Sequence, residues 1–239
     1  MKRFFSLVAL VAAFLALGLS PAGAQSKAPQ RQLRADVSVA DLVVRLKDKN
    51  PKVATEAADA LADRGGEAVA ALEQVLKSEK HVNVQLLAAF TLARISPEHP
   101  DVVSTLLRIA KGRGLFDSQE TLMARREAGM MLALTPAGIR ELPALLKDDD
   151  VFVRRSAAFA LDDPTEVIDT APRTVLEAIG EVLPALVAAL DDKDEVVRDM
   201  CCEVLGQIVR SQTEGLSPKA ERLLKERGKS RGDCLCGCD

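Results

Sequence analysis

The chain has 239 residues, with 32 Lys and Arg against 35 Asp and Glu and a formal net charge of −3. It lacks the basic excess that nucleic-acid binding normally requires, and the absence of Trp and Tyr removes the usual stacking platforms for sugars and bases. A core of Leu, Val, Ala and Ile favours helices, so we expect an all-α protein.

The first two dozen residues have the three parts of a secretory signal peptide. Lys2 and Arg3 give a positive start, residues 4–19 are almost entirely apolar, and small residues form a cleavage site at 22–24. The apolar run is shorter than the roughly 20 residues that span a bilayer. We predict that residues 1–24 are removed and that the protein is exported, periplasmic or secreted, with no membrane span after cleavage. Retention as an anchor is the alternative.

A four-position apolar pattern recurs along the rest of the chain. In one copy it is Val153, Ala157, Ala160 and Leu161, spaced as on one face of a helix. In chain order, the copies cover residues 53–61, 84–92, 124–132, 153–161 and 197–205. The amphipathic segments that precede them are 40–46, 68–76, 101–110, 139–146 and 182–190. The pattern therefore predicts five helix pairs.

The turns of the predicted pairs carry helix-start signals. A residue with a side-chain oxygen stands directly before three of the second helices: Asn50, Asp150 and Asp194. There the oxygen can accept hydrogen bonds from free backbone N–H groups of the first turn. Ser217 and Pro218 open a final helix. The predicted domains are a linker at 25–39, a repeat domain at 40–228 with a capping helix at 218–227, and a flexible tail at 229–239.

Residues 145–154 (LLKDDDVFVR) and 190–198 (LDDKDEVVR) resemble the HEAT-repeat family, particularly the short phycobilisome-lyase-type HEAT-like repeats. The resemblance covers residues 40–210 and implies a right-handed α-solenoid of about five HEAT-like hairpins. In that family an Asp in the turn and an Arg on the second helix commonly bond between adjacent repeats. The pairs that this implies are Asp148 with Arg154 and Asp192 with Arg198.

A solenoid of stacked hairpins offers an extended binding surface. We therefore predict a non-catalytic scaffold without a cofactor that binds a protein or peptide. The predicted insertions supply the contact candidates Arg113, Phe116 and Arg173, with tolerated loops as the alternative. The second helices supply the candidates Arg125, Arg126 and Arg155, with pairing to the Asp-rich turns as the alternative.

Few residues support an enzyme. The two histidines, His81 and His99, are predicted as solvated loop residues, and no known nucleophile or nucleotide-binding motif occurs. A bilin lyase, which the type of repeat suggests, is disfavoured by the secretory signal and by the lack of Trp and Tyr. We therefore predict no enzymatic activity.

The cysteines suggest an alternative to the protein-binding scaffold. Cys201 falls on the apolar stripe and is predicted as a small core residue, whereas Cys202 points elsewhere. The tail thiols Cys234, Cys236 and Cys238 alternate along the chain. They can bind a soft metal ion, form disulfides with Cys202 or another chain, or have no particular role. The alternative is thus an accessory protein that handles thiols or metals through its tail.

Overall fold

The computed structural model describes residues 37–112, 119–161 and 171–228, whose regular structure is entirely helical. The predicted signal peptide and the tail lie outside these ranges. So do five candidate site residues: Arg113, Phe116, Cys234, Cys236 and Cys238. The predictions for them stay predictions. No helix within the described ranges has the length and apolar character to cross a membrane.

The described helices form five consecutive pairs and a final helix. The first two pairs are α1 (Val39–Leu46) with α2 (Pro51–Arg64) and α3 (Gly66–Ser78) with α4 (Val82–Ile95). The next two are α5 (Pro100–Ala110) with α6 (Gln119–Leu132) and α7 (Pro136–Leu145) with α8 (Val151–Ala158). The last pair is α9 (Arg173–Ala189) with α10 (Glu195–Arg210), followed by α11 (Ser217–Glu226). A short 3₁₀ turn at Phe159–Leu161 continues α8.

The pairs stack in chain order. Each second helix packs on the second helix of the following pair, from α2 on α4 to α8 on α10. Among the first helices, α1 packs on α3, α3 on α5 and α7 on α9. The stripe residues predicted from the repeat pattern fill the space between these layers; Leu61, Leu92, Leu132, Leu161 and Leu205 are fully buried. The fold is therefore an all-α solenoid, in which each hairpin buries its apolar face against its neighbours.

The first helix of the fifth pair is longer than predicted. It begins at Arg173 rather than at residue 182, and Val175 and Ile179 belong to its buried face. The sequence signal is weak here because Gly and Pro both lower helix propensity. Pro184 has no N–H to donate to the carbonyl of Gly180 four residues earlier. Lys219 of α11 supplies the missing donor instead, with its Nζ 2.6 Å from that oxygen.

A shared turn connects the two helices of several pairs. In the fourth pair the Asp148 carboxylate accepts the N–H of Asp150, and the Asp150 carboxylate accepts the N–H of Phe152, at 3.0 and 2.9 Å. Asp48 and Asn50 make the same two contacts, and Asp192 and Asp194 make similar ones, except that Asp194 accepts the N–H of Val197, three residues later. Each turn thereby satisfies N–H groups that the helix start leaves without partners.

Glu79 plays the corresponding part in the second pair. Its carboxylate accepts the N–H groups of His81 and Lys80, and its other oxygen lies 2.9 Å from Nζ of Lys47 in the preceding turn. The hydrogen bond from the His81 N–H and the ion pair with Lys47 lower the pKa of Glu79 to about 2. The charged form of Glu79 therefore stabilises the junction of the first two pairs.

This lowered pKa predicts a specific loss of stability in acid. Because the pKa of Glu79 is lower in the folded state than its ordinary value of 4.5, its charged carboxylate stabilises the fold above pH 4.5. This contribution to the free energy of unfolding is lost as the pH falls toward about 2. We expect Glu79→Gln to cost roughly 1.5 kcal/mol at neutral pH, and the curves of wild type and variant to converge toward pH 2. Urea unfolding between neutral pH and pH 2 measures this. A constant difference across that range would contradict it.

Candidate functional site

The aromatic side chains of the described residues lie outside the core. The buried apolar residues of the described chain are Leu, Val, Ala, Ile, Met and Cys, and Phe90, Phe152 and Phe159 are not among them. Each ring instead has a guanidinium group over it. The guanidinium carbon of Arg94 lies 5.8 Å from the centre of the Phe90 ring, and that of Arg126 lies 4.4 Å from the centre of the Phe159 ring. Such cation–π contacts hold both groups on the surface.

The exposed apolar residues concentrate in one place. Of the four large apolar side chains that are exposed in the described residues, Leu122, Met123 and Phe152 lie together, 37%, 55% and 39% exposed, and only Val44 on α1 lies elsewhere. They line a depression of about 190 Å³ between α6 and α8. We call it the apolar notch and define it by Leu122, Met123, Arg126, Phe152, Arg155 and Phe159.

Close packing of α6 on α8 fixes the shape of the apolar notch. A Cβ atom at Gly129 would lie only 2.3 Å from the carbonyl oxygen of Ser156, so the missing side chain is what allows this approach. The hydroxyl of Ser156 donates to the carbonyl oxygen of Arg125 at 2.5 Å. The close approach at Gly129 and the hydrogen bond from Ser156 hold α6 and α8 together along the depression.

Arg125 is a buried structural residue and not a surface contact, and the predicted alternative, pairing with an Asp-rich turn, is the one that the structure shows. It is 4% exposed, and its Nε donates to the carbonyl oxygen of Ala110 at 3.1 Å. Its Nη2 lies 2.5 Å from a carboxylate oxygen of Asp150 in the next turn. Its guanidinium carbon is also 5.6 Å from the centre of the Phe152 ring, so Arg125 supports the floor of the notch.

Arg154 connects the fourth and fifth repeats in a register that differs from the predicted pairing. Its Nε and Nη2 donate to the two carboxylate oxygens of Asp192 at 2.9 and 3.2 Å. Its Nη1 donates back to the carbonyl oxygens of Asp148 and Asp149. Arg198 likewise donates to the carbonyl oxygen of Asp192 and not to its carboxylate. The carboxylate that Arg154 meets belongs to the following turn, because the next hairpin brings it alongside.

The remaining arginine candidates have different environments. Arg155 donates to both carboxylate oxygens of Asp194 at 2.9 and 2.7 Å, and its guanidinium carbon lies 5.8 Å from the centre of the Phe152 ring. Arg126 is exposed above Phe159. Arg173 is exposed at the start of α9, a first helix, where it pairs with Glu177. Of the predicted contact residues that the structure describes, Arg126 and Arg155 therefore belong to the notch surface.

His99 is a structural cap and not a solvated loop residue as predicted. Its Nδ1 accepts the N–H of Asp101 at 3.3 Å, and its Nε2 lies 3.0 Å from a carboxylate oxygen of Glu73. Glu73, His99 and Asp101 are close enough together to suggest a metal site. However, these ligand atoms are already used by protein groups. The Nδ1 of His99 accepts the Asp101 N–H, so the neutral ring carries its proton on Nε2, toward Glu73. The Asp101 carboxylate lies 3.0 Å from Nζ of Lys77. The cluster joins α3 to α5.

Cys201 is fully buried on the stripe of α10. Burial raises the pKa of its thiol to about 12, so the reactive thiolate does not form near neutral pH. Cys202 is half-buried. Its predicted pairing with a tail cysteine involves residues outside the described ranges and stays a prediction.

Two large apolar residues next to the buried stripe could have predicted the notch. Met123 and Phe152 each directly precede the first stripe residue of their repeat, Ala124 and Val153, and so point away from the core. The contact residues predicted on the second helices were all charged, and these apolar ones were missed. Large apolar side chains beside a buried stripe are the feature that marks the surface.

Part of the chain matches a known repeat family. Residues 151–208, from α8 to α10, match the family model of the HEAT-like repeat. A search of curated proteins finds no significant match. Among solved structures, YibA of Escherichia coli is 18% identical over 91% of this chain and 81% of its own, with a TM-score of 0.41. A designed armadillo repeat protein is 18% identical over 83% of this chain and 97% of its own, with a TM-score of 0.37.

Proposed function

We propose that this chain is an exported, non-catalytic scaffold that binds a partner protein at the apolar notch. The supporting observation is the placement of the apolar side chains. A chain whose core is built from aliphatic residues places Met123, Phe152 and Phe159 outside that core and stacks arginines on both rings. Met, Phe and Arg are enriched in protein–protein interfaces, and the strongest contributions come from such residues in central pockets.

The rigidity of the notch favours binding. The arginines that hold the Phe152 ring are themselves fixed: Arg125 by Asp150 and Arg155 by Asp194 in the following turn. Side chains that are already ordered lose less conformational entropy when a partner binds. Export to the periplasm or cell surface is part of the proposal and rests on the pattern of residues 1–24.

Met123→Asp is expected to abolish capture of the partner. The substitution places a carboxylate among the apolar groups of the notch, and loss of a central contact of this kind typically costs about 2 kcal/mol or more, roughly thirtyfold in affinity. The measurement is affinity capture from cell-envelope extract, with the recovered proteins identified by mass spectrometry.

Val44→Asp is the matched control, because Val44 is an exposed apolar residue on α1, away from the notch. It should recover the same proteins as the wild type. Equal thermal unfolding of both variants would exclude misfolding. If Met123→Asp and Val44→Asp recover the same proteins in the same amounts, the notch is not the binding surface.

A further inference from the structure

Resting on the proposed function, we infer that the apolar notch binds a basic amphipathic segment of the partner, with one aliphatic side chain between α6 and α8 and Lys or Arg residues over α10. The arginines of the notch are already engaged within this chain: Arg125 with Asp150, Arg155 with Asp194, and Arg126 with the Phe159 ring. The notch therefore supplies apolar contact, and selection for charge comes from the surface beside it.

Three exposed carboxylates lie along one face of α10. Glu195, Asp199 and Glu203 are spaced four residues apart, which places them on successive turns of the helix. We call them the acidic stripe, and none of its members forms an ion pair with a residue that the structure describes. Glu203 accepts a hydrogen bond from the neutral amide of Gln207. Like charges at this spacing slightly destabilise a helix, and a positively charged segment would remove that repulsion.

The basic residues nearest to the acidic stripe along the chain do not neutralise it. Arg198 donates to the carbonyl oxygen of Asp192. Lys193 lines a different depression, between the turns of the fourth and fifth pairs. Arg210 is exposed at the end of α10, about 10 Å of helix beyond Glu203. The described part of this surface therefore presents negative charge to a partner.

The acidic stripe lies beside the notch, on the next second helix. α10 packs on α8, and Asp199 and Glu203 hold in α10 the repeat positions that Arg155 and Phe159 of the notch hold in α8. Arg155 also connects the notch to the start of α10, since it donates to Asp194 at 2.9 and 2.7 Å. Packed helices lie about 8–10 Å apart, so the carboxylates are about one helix spacing away from the anchor.

This placement determines the direction and spacing of the segment. On the other side of the notch, α4 carries Leu86 and Phe90 at the same repeat positions, so these positions offer no acidic counterpart. The basic residues of the segment therefore lie toward the C-terminal end of the solenoid. About three residues of extended chain, or about two turns of helix, cover the distance from the anchor to the acidic stripe.

The two parts of the surface are expected to affect different rates. Exposed ion pairs are individually weak and are screened by salt, and their attraction acts mainly on the rate of association. The buried apolar anchor acts mainly on the rate of dissociation. The association rate of a basic segment should therefore fall as the ionic strength rises, while its dissociation rate changes little.

Selection from a phage-displayed library of random dodecapeptides on the wild-type chain tests this inference. Counter-selection on Met123→Ser removes the apolar anchor site without adding a charge. The enriched peptides are expected to combine Leu, Ile or Met with Lys or Arg at the spacing given above. Asp199→Lys together with Glu203→Lys should weaken their binding about tenfold or more at low ionic strength, and less at high salt.

Glu214→Lys together with Glu221→Lys is the matched control. Both residues are exposed and follow α10 in the chain, Glu221 on α11, and this double variant changes the net charge by the same amount. It should bind the peptides as tightly as the wild type. Equal thermal unfolding of the two double variants would exclude misfolding as the cause of a difference.

The inference is overturned if no peptide is enriched, if the enriched peptides are acidic or uncharged, or if the two double variants bind them equally. Basic peptides that bind Met123→Ser as tightly as the wild type would show attraction by overall charge alone. Self-association that Met123→Ser abolishes would make a second copy the occupant. If the Asp199→Lys, Glu203→Lys variant captures the envelope partner and Met123→Asp does not, the inference fails and the proposed function stands. If both capture it like the wild type, both fail.

Discussion

Replacing Arg154 by alanine is expected to lower the free energy of unfolding by about 3–5 kcal/mol. Arg154 is 4% exposed and holds both carboxylate oxygens of Asp192, whose side chain is 11% exposed. Burial raises the pKa of Asp192, but hydrogen bonds from the Asp194 N–H and from Arg154 outweigh it, and the net pKa is lowered. Removing the guanidinium would leave this largely buried carboxylate without its positively charged partner in the junction of the fourth and fifth repeats.

The adjacent arginine is the control for this prediction. Arg155 also makes a two-oxygen contact with an aspartate of the following turn, but its side chain is 35% exposed. Ion pairs that water reaches contribute about 0.2–1 kcal/mol, so Arg155→Ala should have a small effect. Urea unfolding measures both variants, and Asp192→Asn completes a double-mutant cycle with Arg154→Ala. Equal losses for Arg154→Ala and Arg155→Ala would show that the buried pair does not stabilise the junction.

Replacing Gly129 by alanine is expected to destabilise the protein although alanine is the better helix former. The helix propensity alone would favour alanine by about 1 kcal/mol. The new Cβ would lie 2.3 Å from the carbonyl oxygen of Ser156 and 2.6 Å from its hydroxyl oxygen. Because the closest atom belongs to the backbone, α6 and α8 have to move apart. Overpacking of this kind costs about 1–3 kcal/mol or more.

Gly66→Ala provides the comparison for Gly129→Ala. A Cβ at Gly66, in the first turn of α3, has no atom within 4 Å, and this substitution should leave the thermal midpoint unchanged or raise it. Gly129→Ala should lower the midpoint. It should also weaken partner binding, because the substitution pushes α6 and α8 apart and the apolar notch lies between these two helices. A Gly129→Ala protein as stable as Gly66→Ala would mean that the helices do not approach as closely as the structure shows.

The sequence predicts the second helices well because their burial pattern is local. Val153, Ala157 and Leu161 recur at fixed spacing, and a 3.6-residue period places them on one face regardless of what lies opposite. The N-terminal half of α9 was not predicted because Gly180 and Pro184 interrupt the helical signal. The carbonyl that Pro184 leaves without a partner is bound by Lys219 on a different helix.

Contacts between repeats are harder to predict than the repeats themselves. The pairing of Arg154 with Asp192 depends on how far one hairpin is displaced from the next, and no residue pattern encodes that displacement. Pairing with an Asp-rich turn was the alternative predicted for Arg125, but its partner could not be identified for the same reason, since Asp150 belongs to the following turn. The prediction for His99 rested on its loop, whereas the carboxylate it meets, that of Glu73, is on a neighbouring helix.

The most direct test of the proposed binding surface is the dissociation constant of the captured partner, measured by titration calorimetry for wild type, Met123→Asp and Val44→Asp. Both substituted residues are exposed and apolar, and both variants gain the same carboxylate. We predict an affinity about thirtyfold lower or worse for Met123→Asp and an unchanged affinity for Val44→Asp. Equal affinities for the two variants would place the binding surface elsewhere on the solenoid and contradict the proposal.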